Sequence, residues 1–194
     1  MFKKDEIKII SIFGVTGSVG VSTQELIQMN IKKFKVDTIV ANNDVKGLIK
    51  AAKYLKPNLV IINNDKMFMP LKKSLEGYNI DIASGNDAII EASKRKVDVF
   101  VAAISGFAGL SSTFNAIGNV KCIALANKES IVCAGPILLN KVKNSNSKII
   151  PIDSEHNTLY QILVNANIDS ISKVIITGSG GPFRGFSYKK LNKV

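Results

Sequence analysis

The chain has 194 residues, 46% hydrophobic and 21% charged, a composition that folds around a core and argues against disorder. No apolar run approaches the roughly 20 residues needed to cross a bilayer, and residues 1–6 lead straight into an apolar run with no room for a signal h-region, so a cytoplasmic protein with no membrane contact is expected. The net charge of +11 raises the question of nucleic acid, but the lysines are scattered as singles and pairs without interleaved aromatics; that pattern suits solvated helix ends and a field attracting small phosphorylated ligands, so no nucleic-acid partner is expected.

Taken in chain order, short and largely apolar runs at 7–13, 36–41, 59–62, 97–102, 120–125 and 148–152 predict strands covered on both faces. Helical spacing between them predicts helices over 19–29, 46–55, 66–76, 86–96, 111–117 and 130–143, the first with Val19, Thr23, Leu26 and Ile27 on one face. Such alternation predicts an α/β fold, a Rossmann-type doubly wound parallel sheet. After the polar stretch 143–148 and the strand at 148–152 the rhythm changes. A helix over 157–166 and a strand over 172–177 follow, and the strand runs into Gly178-Ser179-Gly180-Gly181-Pro182. We expect a boundary near Pro151, with one domain over 1–151 and the beginning of an α+β catalytic domain over 152–194.

Directly after the first strand stands Gly14-Val15-Thr16-Gly17-Ser18-Val19-Gly20, followed at once by a helix. Its spacing is GxxGxxG, one residue longer than the common dinucleotide fingerprint, but the physics is shared. Glycine allows the tight turn and close approach of backbone to a pyrophosphate, and the helix N-terminus supplies N–H groups and a positive dipole end. A plain strand-to-helix turn that binds nothing is the bland alternative; the position at the first turn of an alternating chain favours the ligand. The second strand ends at Ala41 and runs out into Asn42-Asn43-Asp44, where an NAD enzyme usually carries an acid. Neutral amides can accommodate a 2′-phosphate, which tilts the choice toward NADP; no arginine is present to clamp it, although Lys46 is near. The same residues read equally as a turn with Asp44 at the helix N-cap, and both readings can hold together.

Ala126-Asn127-Lys128-Glu129-Ser130 follows the strand at 120–125, at the edge where ligands sit in an open α/β sheet. Lys128 could neutralise an anionic substrate, while Asn127 and Glu129 could hold a ribose or nicotinamide; a solvent-exposed cap with Asn127 at the N-cap is the alternative. Asp153-Ser154-Glu155 follows the strand at 148–152. In extended geometry the two carboxylates share a face and could bind one Mg²⁺ or Mn²⁺, with a further ligand from elsewhere. A helix start with Asp153 or Ser154 as cap is the alternative. Thr177 to Pro182 could form an anion nest or a plain glycine turn. Cys122 and Cys133 read as reduced, buried thiols, and the single His156 makes a zinc site or a serine triad unattractive.

Taken together, these segments resemble the 1-deoxy-D-xylulose 5-phosphate reductoisomerase family. The resemblance rests on Gly14 to Gly20, Ala102-Ala103-Ile104-Ser105-Gly106-Phe107-Ala108-Gly109-Leu110, Ala126 to Ser130, Pro151-Ile152-Asp153-Ser154-Glu155-His156-Asn157 and Thr177 to Arg184, in the family's order and along the whole chain. It implies an NADPH-dependent rearrangement and reduction of a sugar phosphate, assisted by Mg²⁺ or Mn²⁺, in isoprenoid precursor synthesis. Carried over by motif, Thr16, Gly17, Ser18 and Val19 hold the pyrophosphate, Asn127 and Glu129 contact the cofactor, and Asn42, Asn43 and Asp44 lie at its ribose. Lys128, Ser154, Glu155 and Ser179 contact substrate, Ser179 at the phosphate; Lys128 and Glu155 act in catalysis; Asp153 and Glu155 ligate the metal. The resemblance also implies a homodimer at full length, and poor turnover by residues 1–194 alone, since the family's further carboxylate and mobile loop lie beyond them. Where many members have a basic residue after the second strand, this chain has Asn42 and Asn43. Two other readings are a two-domain NADP oxidoreductase with a nucleophilic cysteine, disfavoured because Cys133 falls in a predicted helix, and a cofactor-binding module without turnover of its own.

Overall fold

Runs of β-branched residues make the sheet. In the computed structural model, which describes residues 6–176 and 181–192, seven strands form: β1 Lys8–Phe13, β2 Phe34–Ala41, β3 Leu59–Ile62, β4 Asp81–Ser84, β5 Val97–Ala102, β6 Val120–Leu125 and β7 Lys148–Pro151. All pair in parallel, in the order β4-β3-β2-β1-β5-β6-β7. Chain order therefore reverses beside β1, where β2 lies on one side and β5 on the other. The helices are α1 Ser18–Met29, α2 Val45–Leu55, α3 Phe68–Ser74, α4 Gly85–Ser93, α5 Gly109–Ala116, α6 Lys128–Lys143, α7 Ser154–Leu163 and α8 Tyr188–Leu191.

Parallel strands need cover on both faces, and the helices divide accordingly. Ile27 of α1, Leu48, Ala51 and Ala52 of α2 and Leu71 of α3 pack with Ile10, Ile12, Ile39 and Ile62 on one face. Ile89 of α4, Ala116 of α5 and Leu138 of α6 pack with Phe13, Val40, Phe100 and Ile123 on the other. The rings of Phe13 and Phe100 meet at 4.4 Å between centroids, tying β1 to β5 at the reversal. The chain divides into two compact units, Met1–Asp153 and Ser154–Val194. The doubly wound sheet lies in the first.

Five local expectations change. The edge strand β4 was not expected; it carries one large apolar residue, Ile82, and none of its residues is fully buried, so it leaves no apolar run to read. In α1 the buried residues are Gly20 and Ile27, while Leu26 is 60% exposed: the helix turns its glycine side to β1. Cys133 is exposed, because α6 buries Ser130, Gly135 and Leu138 and presents position 133 outward. Residues 172–176 form no strand, and Ile175 and Ile176 are exposed without a ladder partner among the described residues. α7 begins at Ser154, three residues earlier than expected. No helix of the described residues is long and apolar enough to cross a membrane.

Candidate functional site

The glycine loop is built on two backbone hydrogen bonds. The N–H groups of Gly14 and Val15 both donate to the carbonyl of Val40, at 2.9 Å each, so β2 anchors the turn that leaves β1. Gly14 sits at φ +98°, and a Cβ there would collide with the backbone of Ala103 after β5; only glycine fits both the angle and the space. Gly20 needs glycine for the space alone, since a Cβ would strike the backbone of Gly14 and Val15. Gly17 is different: its φ is −77°, and a Cβ would meet only the Gly14 carbonyl, at 3.5 Å. It is also the N-cap of α1 and offers no capping side chain, which leaves the N–H groups of the first turn, with their positive dipole end, for an anion.

In front of this loop lies a cavity of about 330 Å³, lined by Gly14, Thr16 and Gly17, by Ala41 at the end of β2 and Asn42 after it, by Asn63 after β3, by Asn86 of α4, and by Ser105 and Ala108 after β5. It opens at the C-terminal ends of the strands where their order reverses, which is where a doubly wound sheet takes a dinucleotide. Of the residues expected to contact cofactor, Thr16, Gly17 and Asn42 line it. Ser18 is exposed at the start of α1; Val19 packs its side chain against the core and has only its backbone to offer. Asp44 caps α2, its carboxylate accepting from the N–H of Gly47 at 2.9 Å. Asn42 and Asn43 accept from the amides of Asn63 and Asn64, at 2.9 Å each. Asn63 and Asn64 were missed in the sequence, although Asn63-Asn64 ends a strand in the same way as Asn42-Asn43.

A second group of polar residues gathers at the ends of β6 and β7. Asn127 caps α6, but it is 2% exposed rather than solvent-facing. Its NH₂ group donates to the carbonyls of Ile104 and Gly106, the latter at 2.7 Å, and its oxygen accepts from the N–H and hydroxyl of Ser130, at 2.8 Å each. All of that side chain's polar capacity is thus spent on fastening the loop after β5 to the start of α6. The next two residues, Lys128 and Glu129, emerge exposed in the first turn. The Lys128 ammonium lies 2.9 Å from the carboxylate of Asp153, which follows β7 and is mostly buried. The lysine and the carboxylate singled out from separate motifs therefore meet in one ion pair.

In the second unit, Ser154 opens α7 and donates to the carboxylate of Glu155 at 2.8 Å. Both residues are helical, so the extended geometry expected to align Asp153 with Glu155 is not present; Asp153 precedes the helix and Glu155 sits in its first turn. Among the described residues no three metal-ligating side chains converge. Ser179 lies outside the described residues. Of the cysteines, Cys122 is buried, and burial pushes its thiol above the usual value, toward the unreactive protonated form.

Comparison with known proteins bears on these features directly. Residues 10–135 match the family model for 1-deoxy-D-xylulose 5-phosphate reductoisomerase, and residues 149–194 match the model for that enzyme's C-terminal domain. The reductoisomerase of Zymomonas mobilis is 39% identical over 187 residues, covering 96% of this chain and 48% of the relative. That of Rhodopseudomonas palustris strain BisB18 is 39% identical over 178 residues, covering 92% and 44%. Among solved structures, the Zymomonas mobilis enzyme in complex with NADPH superposes with a TM-score of 0.90 over 97% of this chain and 50% of that one, at 39% identity. A DOX-P reductoisomerase in complex with magnesium gives 0.87 at 33% identity, with the same coverage. The chain spans about half the length of the curated relatives it matches, and it belongs to the 1-deoxy-D-xylulose 5-phosphate reductoisomerase family.

Proposed function

We propose that this chain supplies the cofactor domain, over 1–151, and the beginning of the metal- and substrate-binding domain, over 152–194, of an NADPH-dependent reductoisomerase. The enzyme converts 1-deoxy-D-xylulose 5-phosphate to 2-C-methyl-D-erythritol 4-phosphate in the cytoplasm, as a homodimer. The observation that carries the reading is the cavity at the strand-order reversal, floored by a glycine loop with an uncapped helix N-terminus, in a chain 39% identical to a relative solved with NADPH.

The residues fit both groups the reading requires. A pyrophosphate suits the space in front of Gly14 and Gly17, with Thr16, Ser18 and the backbone of Val19 as its donors. Asn42, Asn43 and Asp44 flank the adenosine ribose. Asp153 and Glu155 offer the hard carboxylate oxygens that Mg²⁺ and Mn²⁺ prefer, and a relative was solved with magnesium. When bound, the cofactor supplies hydride, and the cation polarises the substrate carbonyl.

The chain's own side chains have three tasks. Asn127 aims Lys128 and Glu129 by locking the start of α6, so it acts through them rather than on the cofactor. Lys128 balances the Asp153 carboxylate and leaves its half-exposed ammonium within reach of an anionic substrate. Ser154 orients Glu155, and with Ser179 completes the polar contacts to a phosphorylated sugar. The test is titration of the purified chain with NADPH and with NADH, followed by nicotinamide fluorescence. Saturable binding of NADPH is the expected result; binding of neither nucleotide would sink the reading.

A further inference from the structure

We propose that Lys128 is the resident cation of the Asp153 carboxylate and yields it to a divalent metal: ammonium and metal exchange on one carboxylate, and the exchange hands the ammonium to an anionic substrate. The inference rests on Asp153 being a metal ligand, as proposed above, and adds that Lys128 competes for it.

The two side chains differ in freedom. Asp153 is 11% exposed, and the residue before it donates its N–H to the carbonyl of Leu125 at 2.9 Å, which carries the β6–β7 pairing up to the carboxylate. The acid is therefore held in place. Lys128 is the first residue of α6, whose start is locked by the bonds of Asn127 to Ile104, Gly106 and Ser130. From that fixed backbone runs a four-carbon stem, and the lysine side chain is 51% exposed. Such a stem swings at little cost, and its ammonium is strongly hydrated. The ammonium can leave; the carboxylate cannot follow.

Electrostatics makes lysine and metal rivals. A mostly buried carboxylate needs a cation, because water is largely withheld from it. The Lys128 ammonium meets that need, 2.9 Å from one Asp153 oxygen. A divalent ion meets it better: it carries twice the charge, and Mg²⁺ takes carboxylate oxygens at about 2.1 Å. Holding both at once is disfavoured. On either oxygen of Asp153 the ion would stand a few ångströms from the ammonium, beside a carboxylate where solvent screening is reduced. The metal therefore displaces the lysine, which stays tethered at the same sheet edge. Without metal, Lys128 is engaged with Asp153; with metal, it turns to the substrate.

The experiment measures the Mn²⁺ affinity of the 194-residue chain from the electron paramagnetic resonance signal of the unbound ion. Lys128→Gln removes the competitor and is expected to bind Mn²⁺ about tenfold more tightly than the parent, as for one hydrogen bond to a charged group. Lys128→Arg keeps the charge and grips a carboxylate through two N–H groups, so it binds Mn²⁺ more weakly than the parent. Mere damage to the fold would lower affinity in both variants. Asp153→Asn weakens binding, and with it the gain from Lys128→Gln vanishes, because the lysine competes through Asp153. In the parent chain, Mn²⁺ speeds the labelling of Lys128 by an amine-reactive ester, read by peptide mass spectrometry. An unchanged labelling rate means that metal and lysine share the carboxylate, which overturns the exchange. So does an affinity that is unchanged or reduced in Lys128→Gln while Asp153→Asn is impaired; the metal site then stands without the exchange. If Asp153→Asn binds Mn²⁺ as the parent does, Asp153 is no ligand, and the reading beneath the exchange fails with it.

Discussion

Asp37 sits on β2 with its side chain only 9% exposed, and burial alone would raise its pKa. Its partners reverse that. Arg95 grips both carboxylate oxygens, at 2.6 and 2.9 Å, and Asn58 and Thr38 add bonds at 2.9 and 2.8 Å, which together hold the carboxyl at about 2. A folded-state value below the unfolded one adds stability that is complete above about pH 4 and is lost as pH falls through 2. Because Arg95 is half-exposed, solvent screening trims the contribution to about 1–2 kcal/mol. Urea unfolding at pH 7 is expected to show Asp37→Asn weaker by at least that amount, with the gap to the parent chain closing near pH 2. A gap that stays constant across that range would refute the assignment. Little of this was legible beforehand: Lys94-Arg95-Lys96 reads as a solvated helix end, and a partner 58 residues away leaves no local trace. Asn127 was found by its position, but its burial was not, because the carbonyls that enclose it belong to the loop after β5.

At the scale of elements, the glycine loop separates folding from binding. Gly14 and Gly20 are excluded from carrying a Cβ by backbone packed directly against them, that of Ala103 and Ile104 at Gly14 and that of Gly14 and Val15 at Gly20, whereas Gly17 has room. Gly14→Ala is therefore expected to cost about 2–4 kcal/mol from a strained backbone and overpacking. Gly17→Ala should leave the unfolding midpoint nearly unchanged, yet weaken NADPH binding by obstructing the approach to the first turn of α1. Chemical unfolding and nucleotide titration on both variants check this. A Gly17→Ala chain with parental affinity would show that no ligand comes close there. The motif spacing alone could not rank the three glycines, since their difference lies in what packs behind each. The strands divide the same way. β1, β2, β3, β5 and β6 lie inside the sheet with a neighbour on either side, and each leaves a readable apolar run. β4 and β7 are the two edges and neither buries a residue fully, but β7 keeps Ile149-Ile150 as a run whereas β4 has Ile82 alone. The apolar run at 174–176 has the composition of a strand but no neighbour to pair with among the described residues.

On the scale of the whole chain, stability is unevenly shared. The first unit contains every buried residue of the described chain, arranged on both faces of the sheet. In the second unit α7 buries none of its residues; Ile162, Ile168, Ile175 and Tyr188 are 65%, 76%, 73% and 80% exposed. Segments of about 40 residues rarely fold alone without disulfides or metals, and both cysteines lie in the first unit. A ten-residue helix with no buried face is also marginal on its own, because nucleation is costly and few bonds follow. Hydrogen exchange on residues 1–194 should therefore find the amides of β1, β2 and β5 protected to the level of global unfolding, and those of α7 opening far more readily. Removing residues 154–194 should accordingly shift the main unfolding transition little. Protection in α7 equal to that in β1, or a large drop in midpoint on removal, would mean that the second unit shares the cooperative core and that the exposed isoleucines are not the measure of its stability.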